Sequence, residues 1–313
     1  MQPQCTLSAF GLSIQSDFPL PALQTCGREA DVCVQRGAFN LPRMSPTSIR
    51  RNGIEALFGG DHESAFLRWP GVASFWAQEG FRLIVQTETD TLTPELLSLF
   101  ILSEAFGLIL HQRGLFLLHA SAVKVGERGL AFIGPPGAGK STIAFSFALS
   151  GHIPIADDMV AIRVGSHGEP SILPGFSQIK IWPSAADGLD FDPSSLTRIR
   201  AESQKLSART INEPISSETP LSEVYLLQDG QEIDISTPSS AEAFLALVKC
   251  FSCPAALLAG ASLKRHFDQS RIICESARVL TLKRPRHFPA LRQVVSAISC
   301  GRSSLFERNP IHG

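Results

Sequence analysis

An α/β core that follows a mostly-β N-terminal domain is the fold this sequence predicts, and three observations predict it. From residue 1 to about 92, short apolar runs are set between Pro, Gly, Asp and Ser clusters, the pattern of brief antiparallel strands. The period then lengthens to a helical one over PELLSLFILSEAFGLILHQRG. After it, a strand, a glycine loop, a helix and a second strand follow one another between Gly129 and Asp158. A chain of 313 residues favours two domains. The expected division is a β-rich 1–110 and an α/β 111–313.

In order along the chain, LSAFGLSI, ADVCVQRG and FRLIVQT are the clearest early strands. The following helix opens with Thr93 and Pro94, a good cap and a good first-turn residue, and should end near Gly114. LFLLHASAV and GLAFIG are short buried strands joined by the polar turn KVGERG. STIAFSFALSG is a helix stopped by Gly151, and IPIADD is a strand whose end carries two acids. Beyond residue 163, IKIW, SEVYLLQ and EIDIS suit strands. Ser240–Leu258 and Pro289–Ile298 suit helices, the second with Leu291, Val294, Val295 and Ile298 on one face, while Ser194–Asn212 is polar enough for a mobile surface segment.

Composition closes several routes. Lys plus Arg at 28 against Asp plus Glu at 29 leaves no global field for nucleic acid or an acidic membrane, so neither is expected as a partner. The longest apolar candidate, near Leu96 to Leu118, is broken by Glu104, His111, Gln112 and Arg113 and reads as a buried helix. MQPQCTLSAF lacks a basic segment followed by an apolar one, so no export signal is expected and the cytoplasm is the expected address. Seven scattered cysteines make a poor disulfide framework and are expected to be reduced and mostly buried.

The informative run is Gly134, Pro135, Pro136, Gly137, Ala138, Gly139, Lys140, Ser141, Thr142, which fits G-x-x-x-x-G-K-[ST] between a strand and a helix. Glycines let the backbone curl so that successive N–H groups face phosphate oxygens, and the helix adds its positive end. Lys140 offers a point charge, and Ser141 a hard oxygen suited to Mg2+. A nucleoside triphosphate, ATP, is the expected ligand. Asp157 and Asp158 end the next strand, where neighbouring strands of an open parallel sheet border a ligand crevice. One acid can hold metal, directly or through water, while the other accepts a proton from a substrate hydroxyl. An isolated Asp-Asp pair is more often a solvated turn; its place at the strand end is what favours chemistry. His119 on the preceding strand is, by itself, more often a satisfied core histidine than a catalytic group.

With these residues in place, Leu118 to Ile162 resembles the HPr kinase/phosphorylase-like serine kinases: a histidine one hairpin before the loop, then an Asp-Asp pair one helix after it. The resemblance implies a fold shared with phosphoenolpyruvate carboxykinases, Asp157 as acid/base at a substrate serine, Asp158 beside it for the metal with Ser141, and His119 as a modulator. Looser similarity, in FGLSIQSDFPLPAL, LHQRGLFLLHASAV, QIKIWPSAADGL, PLSEVYLL and LKRPRHFPAL, extends to the HPr-kinase-related kinases of lasso-peptide biosynthesis. That implies a peptide or protein acceptor, such as the C-terminal serine of a precursor peptide. The downstream acidic segment of the bifunctional enzymes has no match in RVGSHGEPSILPGFSQIKIW. Lys205 and Arg209 are candidates for a cationic clamp.

Other features are expected to be structural. Cys250 and Cys253 lack the further ligands a zinc site needs. Lys264-Arg265-His266 and Lys283 to His287 read as solvated surface, with a contact to a peptide carboxylate as the alternative, and Trp69, Trp76 and Trp182 as core or interface residues. Against a serine kinase stand a nucleotide-binding regulatory or scaffold protein, and an NTPase or small-molecule kinase. Assembly of identical chains is left open.

Overall fold

The computed structural model describes residues 6–51, 53–89, 92–175, 178–189, 191–192, 197–198, 206–209 and 216–300. The chain is α/β and divides into two compact units, one of Met1–Leu117 with Phe251–Gln269 and one of Leu118–Cys250 with Ser270–Gly313. The first unit is therefore discontinuous, whereas the sequence suggested a single cut near residue 110.

The first unit is built on β1 (Leu7–Ala9), β2 (Leu12–Ser16), β3 (Gln24–Thr25), β4 (Val32–Arg36), β5 (Ser45–Arg51), β6 (Ile54–Gly60), β7 (Ser64–Trp69), β8 (Ala73–Gln78) and β9 (Arg82–Thr87). They form one sheet in the order β3-β1-β2-β4-β9-β8-β7-β6-β5. Its pairing is not wholly antiparallel as expected, because β4 runs parallel to both β2 and β9. Along β7 the buried residues alternate, Ala65, Leu67 and Trp69 facing inward, as a half-covered strand requires. Helix α1 (Pro94–Phe100), a π-helical turn (Ile101–Ala105) and α2 (Phe106–Gln112) follow as a rod kinked at Ser103, where the backbone leaves the helical region, and its later part packs on β8 and β9. Thr93 Oγ1 caps it by accepting from the Leu96 N–H, and Gly114, at φ +81°, lies just past its end. The rod is apolar enough to cross a membrane by composition, yet 67% of its apolar window is buried within the protein. Strand β10 (Phe116–Leu118) comes next in sequence.

The second unit contains β11 (Ala120–Val125), β12 (Arg128–Ile133), α3 (Lys140–Leu149), β13 (Ile153–Ala156), β14 (Val160–Val164), β15 (Pro170–Ile172), β16 (Gln178–Ile181), α4 (Pro183–Gly188), β17 (Thr197–Arg198), β18 (Leu206–Arg209), β19 (Thr219–Asp229), β20 (Asp234–Ser236) and α5 (Ser240–Lys249). After α6 (Gly260–Ser276), which begins in the first unit, come β21 (Arg278–Arg284) and α7 (Phe288–Ser299). The central sheet is mixed: β12 and β21 both run parallel to β19, while β11 is antiparallel to β12 and β13. Helices α3 and α7 bury Ile143, Phe147, Leu291, Val294, Val295 and Ile298 in one core with Phe132, Tyr225 and Leu282 of the sheet. Burying a side chain such as Phe147 contributes about 1.5–3 kcal/mol. The expected helix from Ser240 is shorter than its apolar pattern, ending at Lys249 ahead of Pro254, with a 3-10 turn at Ala255–Leu257. Most of Ser194–Asn212, including Lys205, lies outside the described residues.

Candidate functional site: a glycine loop with a tied carboxylate

Strand β12 delivers the chain to Gly134, and α3 takes it away from Lys140. Between them the backbone is left-handed at Gly137 (φ +80°) and Gly139 (φ +89°), conformations an L-residue adopts only at a cost. The Ala138 N–H donates to the Pro135 carbonyl at 3.1 Å, closing the turn at the crest. Gly134 is required for close approach: a Cβ there would lie 3.0 Å from the Ala138 Cβ and 3.4 Å from the Leu227 Cβ. This curl in front of a ten-residue helix is the geometry that gathers backbone N–H groups and a positive helix end at one point. Lys140, buried to 8% exposure, donates from Nζ to the Gly134 carbonyl at 2.9 Å and the Pro135 carbonyl at 3.4 Å, so its ammonium sits within the loop.

The acids reach the loop by a route the sequence reading did not foresee. β13 does not lie beside β12 in a parallel array; β11 stands between them, antiparallel to both. Two reversals restore the direction, so β12 and β13 still end at the same edge. The registers Ala120↔Ile133 and Ala122↔Ala156 place Ser121 at that edge, between the loop and the acids. Ser121 Oγ donates to Asp157 Oδ1 at 2.6 Å, and Ser141 Oγ donates to the same oxygen at 2.9 Å. Ser121 and Asp157 are both buried. Each hydroxyl has one hydrogen to give. Both serines therefore direct theirs at one carboxylate oxygen, and the oxygen lone pairs of Ser141 are oriented away from Asp157.

Asp158 differs from its neighbour. Its backbone is left-handed at φ +69°, uncommon for a residue with a Cβ and a form of local strain that surrounding contacts must hold. One such contact is His119 Nδ1, 3.1 Å from the Asp158 carbonyl oxygen. A carbonyl only accepts, so Nδ1 carries the hydrogen, and in the neutral ring Nε2 carries the lone pair. The His119 N–H donates in turn to the Cys250 carbonyl at 2.6 Å. Burial pushes the Cys250 thiol pKa up, opposed by Lys140 and by the backbone of Gly134 at the root of the loop.

In the basic segment expected at the solvated surface, Lys283, Arg286 and His287 are exposed, but Arg284 is buried and, with Arg286, reaches the loop. Arg284, at the end of β21, is buried, and its Nη2 donates to the Ala138 carbonyl at 2.9 Å. Arg286 is exposed; it donates from Nε to Asp229 Oδ1 at 2.6 Å and from Nη1 to the Gly137 carbonyl at 3.4 Å. In the other basic cluster, His266 is buried and stacked on Phe116 while Lys264 pairs with Asp268. Trp69 is fully buried, whereas Trp182 is 46% exposed. The described cysteines, Cys26, Cys33, Cys250, Cys253, Cys274 and Cys300, are free, but only Cys253 among them is fully buried.

The loop thus gathers Gly134 to Thr142, Asp157, Ser121, Cys250, Arg284 and Arg286, with His119 holding the peptide of Asp158. Arg209 lies in β18, and nothing described brings it to the loop. Ser121, Cys250 and Arg284 were missed from the sequence. The strand period offered a signal for the first, since Ser121 is two residues beyond His119.

The donor set fits a small hard cation: Ser141 Oγ and the Asp157 carboxylate are oxygen ligands, and Mg2+ ordinarily takes one or two protein groups beside water and phosphate. Among the described residues no group of three His, Cys, Asp or Glu could hold a metal alone. No family model and no curated protein matches the chain. It is similar to a solved structure, the Hpr(Ser) kinase/phosphatase from Coxiella burnetii, at 12% identity over 60% of this chain and 97% of that one, with a TM-score of 0.31. So distant a likeness transfers neither substrate nor residue roles, and the site stands on its own geometry.

Proposed function

We propose that the chain is an ATP- and Mg2+-dependent phosphotransferase that acts on a serine hydroxyl of a peptide or protein. The observation that carries this reading is the carboxylate oxygen of Asp157 shared by Ser121 and the loop's Ser141. A solvated surface turn has no use for a buried acid tied to the serine of a glycine loop; a triphosphate site does.

In this reading the loop amides and the start of α3 orient the outer phosphates, and Lys140 swings from the loop carbonyls to their oxygens. Ser141 and Asp157 hold the cation, which when bound offsets charge developing on the transferring group. That gives Asp157 the metal-side role the sequence reading gave to Asp158. The Asp158 carboxylate is then the general base that takes the hydroxyl proton as the serine oxygen attacks in line. His119 acts through the Asp158 peptide, as a positioning residue.

Peptides ending in serine are the acceptors to try first, on the resemblance in the outer motifs. The test is mass spectrometry for an added phosphate on such peptides, beside phosphate release without acceptor. A phosphopeptide that requires Lys140 supports the reading. Phosphate release with no acceptor modified replaces it with an NTPase, and activity undiminished by a non-hydrolysable ATP analogue replaces it with a regulatory protein.

A further inference from the structure

Behind the glycine loop, on the side of β19 and β21, two guanidinium groups engage backbone carbonyls rather than carboxylates alone. β21 ends at Arg284, opposite Asp229 at the end of parallel β19. Arg284 Nη2 donates to the Ala138 carbonyl at 2.9 Å and Nη1 to the Pro285 carbonyl at 3.3 Å. Arg286 reaches the Gly137 carbonyl from Nη1 while Asp229 holds its Nε. Consecutive carbonyls at the crest, Gly137 and Ala138, are thus drawn toward one strand end. In a trans peptide the N–H points opposite its own carbonyl, so an outward Ala138 carbonyl turns the Gly139 N–H toward the concave side, while the Ala138 N–H is spent on the Pro135 carbonyl.

Nothing in the core explains this placement. Arg284 is only 6% exposed, and its Nε is a buried donor with no acceptor among the described residues. Burial holds its pKa down, opposed by Asp229 and aided by Arg286. A guanidinium is expensive to bury without full pairing. Its fit to the loop is also close: a Cβ on Gly139 would lie 2.5 Å from Arg284 Nη2, so any larger residue at the third glycine of the motif, besides straining a left-handed backbone, would push the guanidinium from its place.

We propose that Arg284, assisted by Arg286 and its Asp229 partner, is a positioning residue that holds the Gly137–Ala138 carbonyls outward and so keeps the loop amides presented for phosphate. The part concerning nucleotide rests on the reading above; the part concerning the loop does not. Arg284 touches the loop from behind and has no role in the transfer itself.

The experiment is hydrogen exchange of residues 134–141 in the nucleotide-free full chain, for wild type, Arg284→Ala and Arg284→Lys, with titration of a fluorescent ATP analogue alongside. Arg284→Ala is expected to speed exchange of the loop amides at least tenfold while amides of β12 and β19 keep their rates, and to weaken the analogue at least tenfold. Arg284→Lys, which keeps charge but not the two-pronged donor, is expected to show the same effect in smaller measure. Loop exchange unchanged in whichever variant folds overturns the proposal, whatever happens to affinity. If wild type fails to bind the analogue, the nucleotide reading falls, and the exchange rates still decide what Arg284 does.

Discussion

Replacing Ser121 by Ala is the sharpest test of the tied carboxylate. The substitution removes one oxygen from a side chain that is 1% exposed, and the strand around it continues in its pairing with β12 and β13. What is lost is the 2.6 Å hydrogen bond to Asp157 Oδ1, leaving Ser141 at 2.9 Å as that oxygen's remaining hydroxyl donor among these two. A hydrogen bond to a charged group contributes about 1.5–3 kcal/mol. Global stability should fall by that order. If Asp157 must be held to share a cation with Ser141, the Mg2+ concentration for half-maximal transfer should rise about 10- to 100-fold, since about 1.4 kcal/mol is a factor of ten. Nucleotide affinity without Mg2+ should stay within a few-fold of wild type. The assay is phosphotransfer across an Mg2+ titration, with urea unfolding as the control. An unchanged Mg2+ requirement in a variant destabilised by the expected amount would refute the reasoning: the bond would then be ordinary core pairing.

Three further outcomes are expected. Asp157→Asn should raise the Mg2+ requirement, whereas Asp158→Asn should cut the transfer rate by 100-fold or so, within the span typical of general acid–base catalysis, at unchanged Mg2+ dependence; the opposite pattern in the same titration would return the roles to the order expected from the sequence. Gly139→Ala should weaken ATP binding about 5- to 30-fold, from a left-handed backbone cost of about 1–2 kcal/mol and displacement of Arg284, measured by titration calorimetry. In the first unit, burial and then the nearby His62, Arg265 and His266 hold the His111 pKa down to about 3, against an ordinary 6.5, with a backbone bond at Leu257 opposing them. The folded state thus refuses a proton that the unfolded chain accepts, so stability is full above pH 6.5 and is lost as pH falls toward 3. At pH 5 the loss from this group is on the order of 2 kcal/mol, which urea midpoints at pH 7.5 and 5.0 would show and His111→Gln should abolish.

How much of this could be read from residues alone depends on where each signal lives. The glycine loop, the two acids and His119 were legible because their chemistry is carried by residue type at short spacing, and α7 because apolar periodicity marked its buried face; α3, buried from Ile143 to Ala148 with no such face, was marked by the glycine loop before it and Gly151 after it. Helix α6 shows the opposite case. Its buried positions include Ser262, His266, Ser270 and Ile273, a correct helical stripe written mostly in polar letters, so no apolar period announced it. The strand that follows suffered from the same confusion: RVLTLKR ends in cations, and cations in a sequence read as surface. Arg284 is inside because β21 lies parallel to β19, 144 residues downstream of Lys140 in a pairing no local pattern encodes, and that pairing brings the strand end to the loop. Ser121 was hidden for a related reason. Its importance follows from the insertion of antiparallel β11 between two strands that sequence order alone would have made neighbours. Local chemistry announced which groups could act on a phosphate, but the groups that hold them in place, a serine from one side and an arginine from the other, belong to the sheet order and became visible only with it.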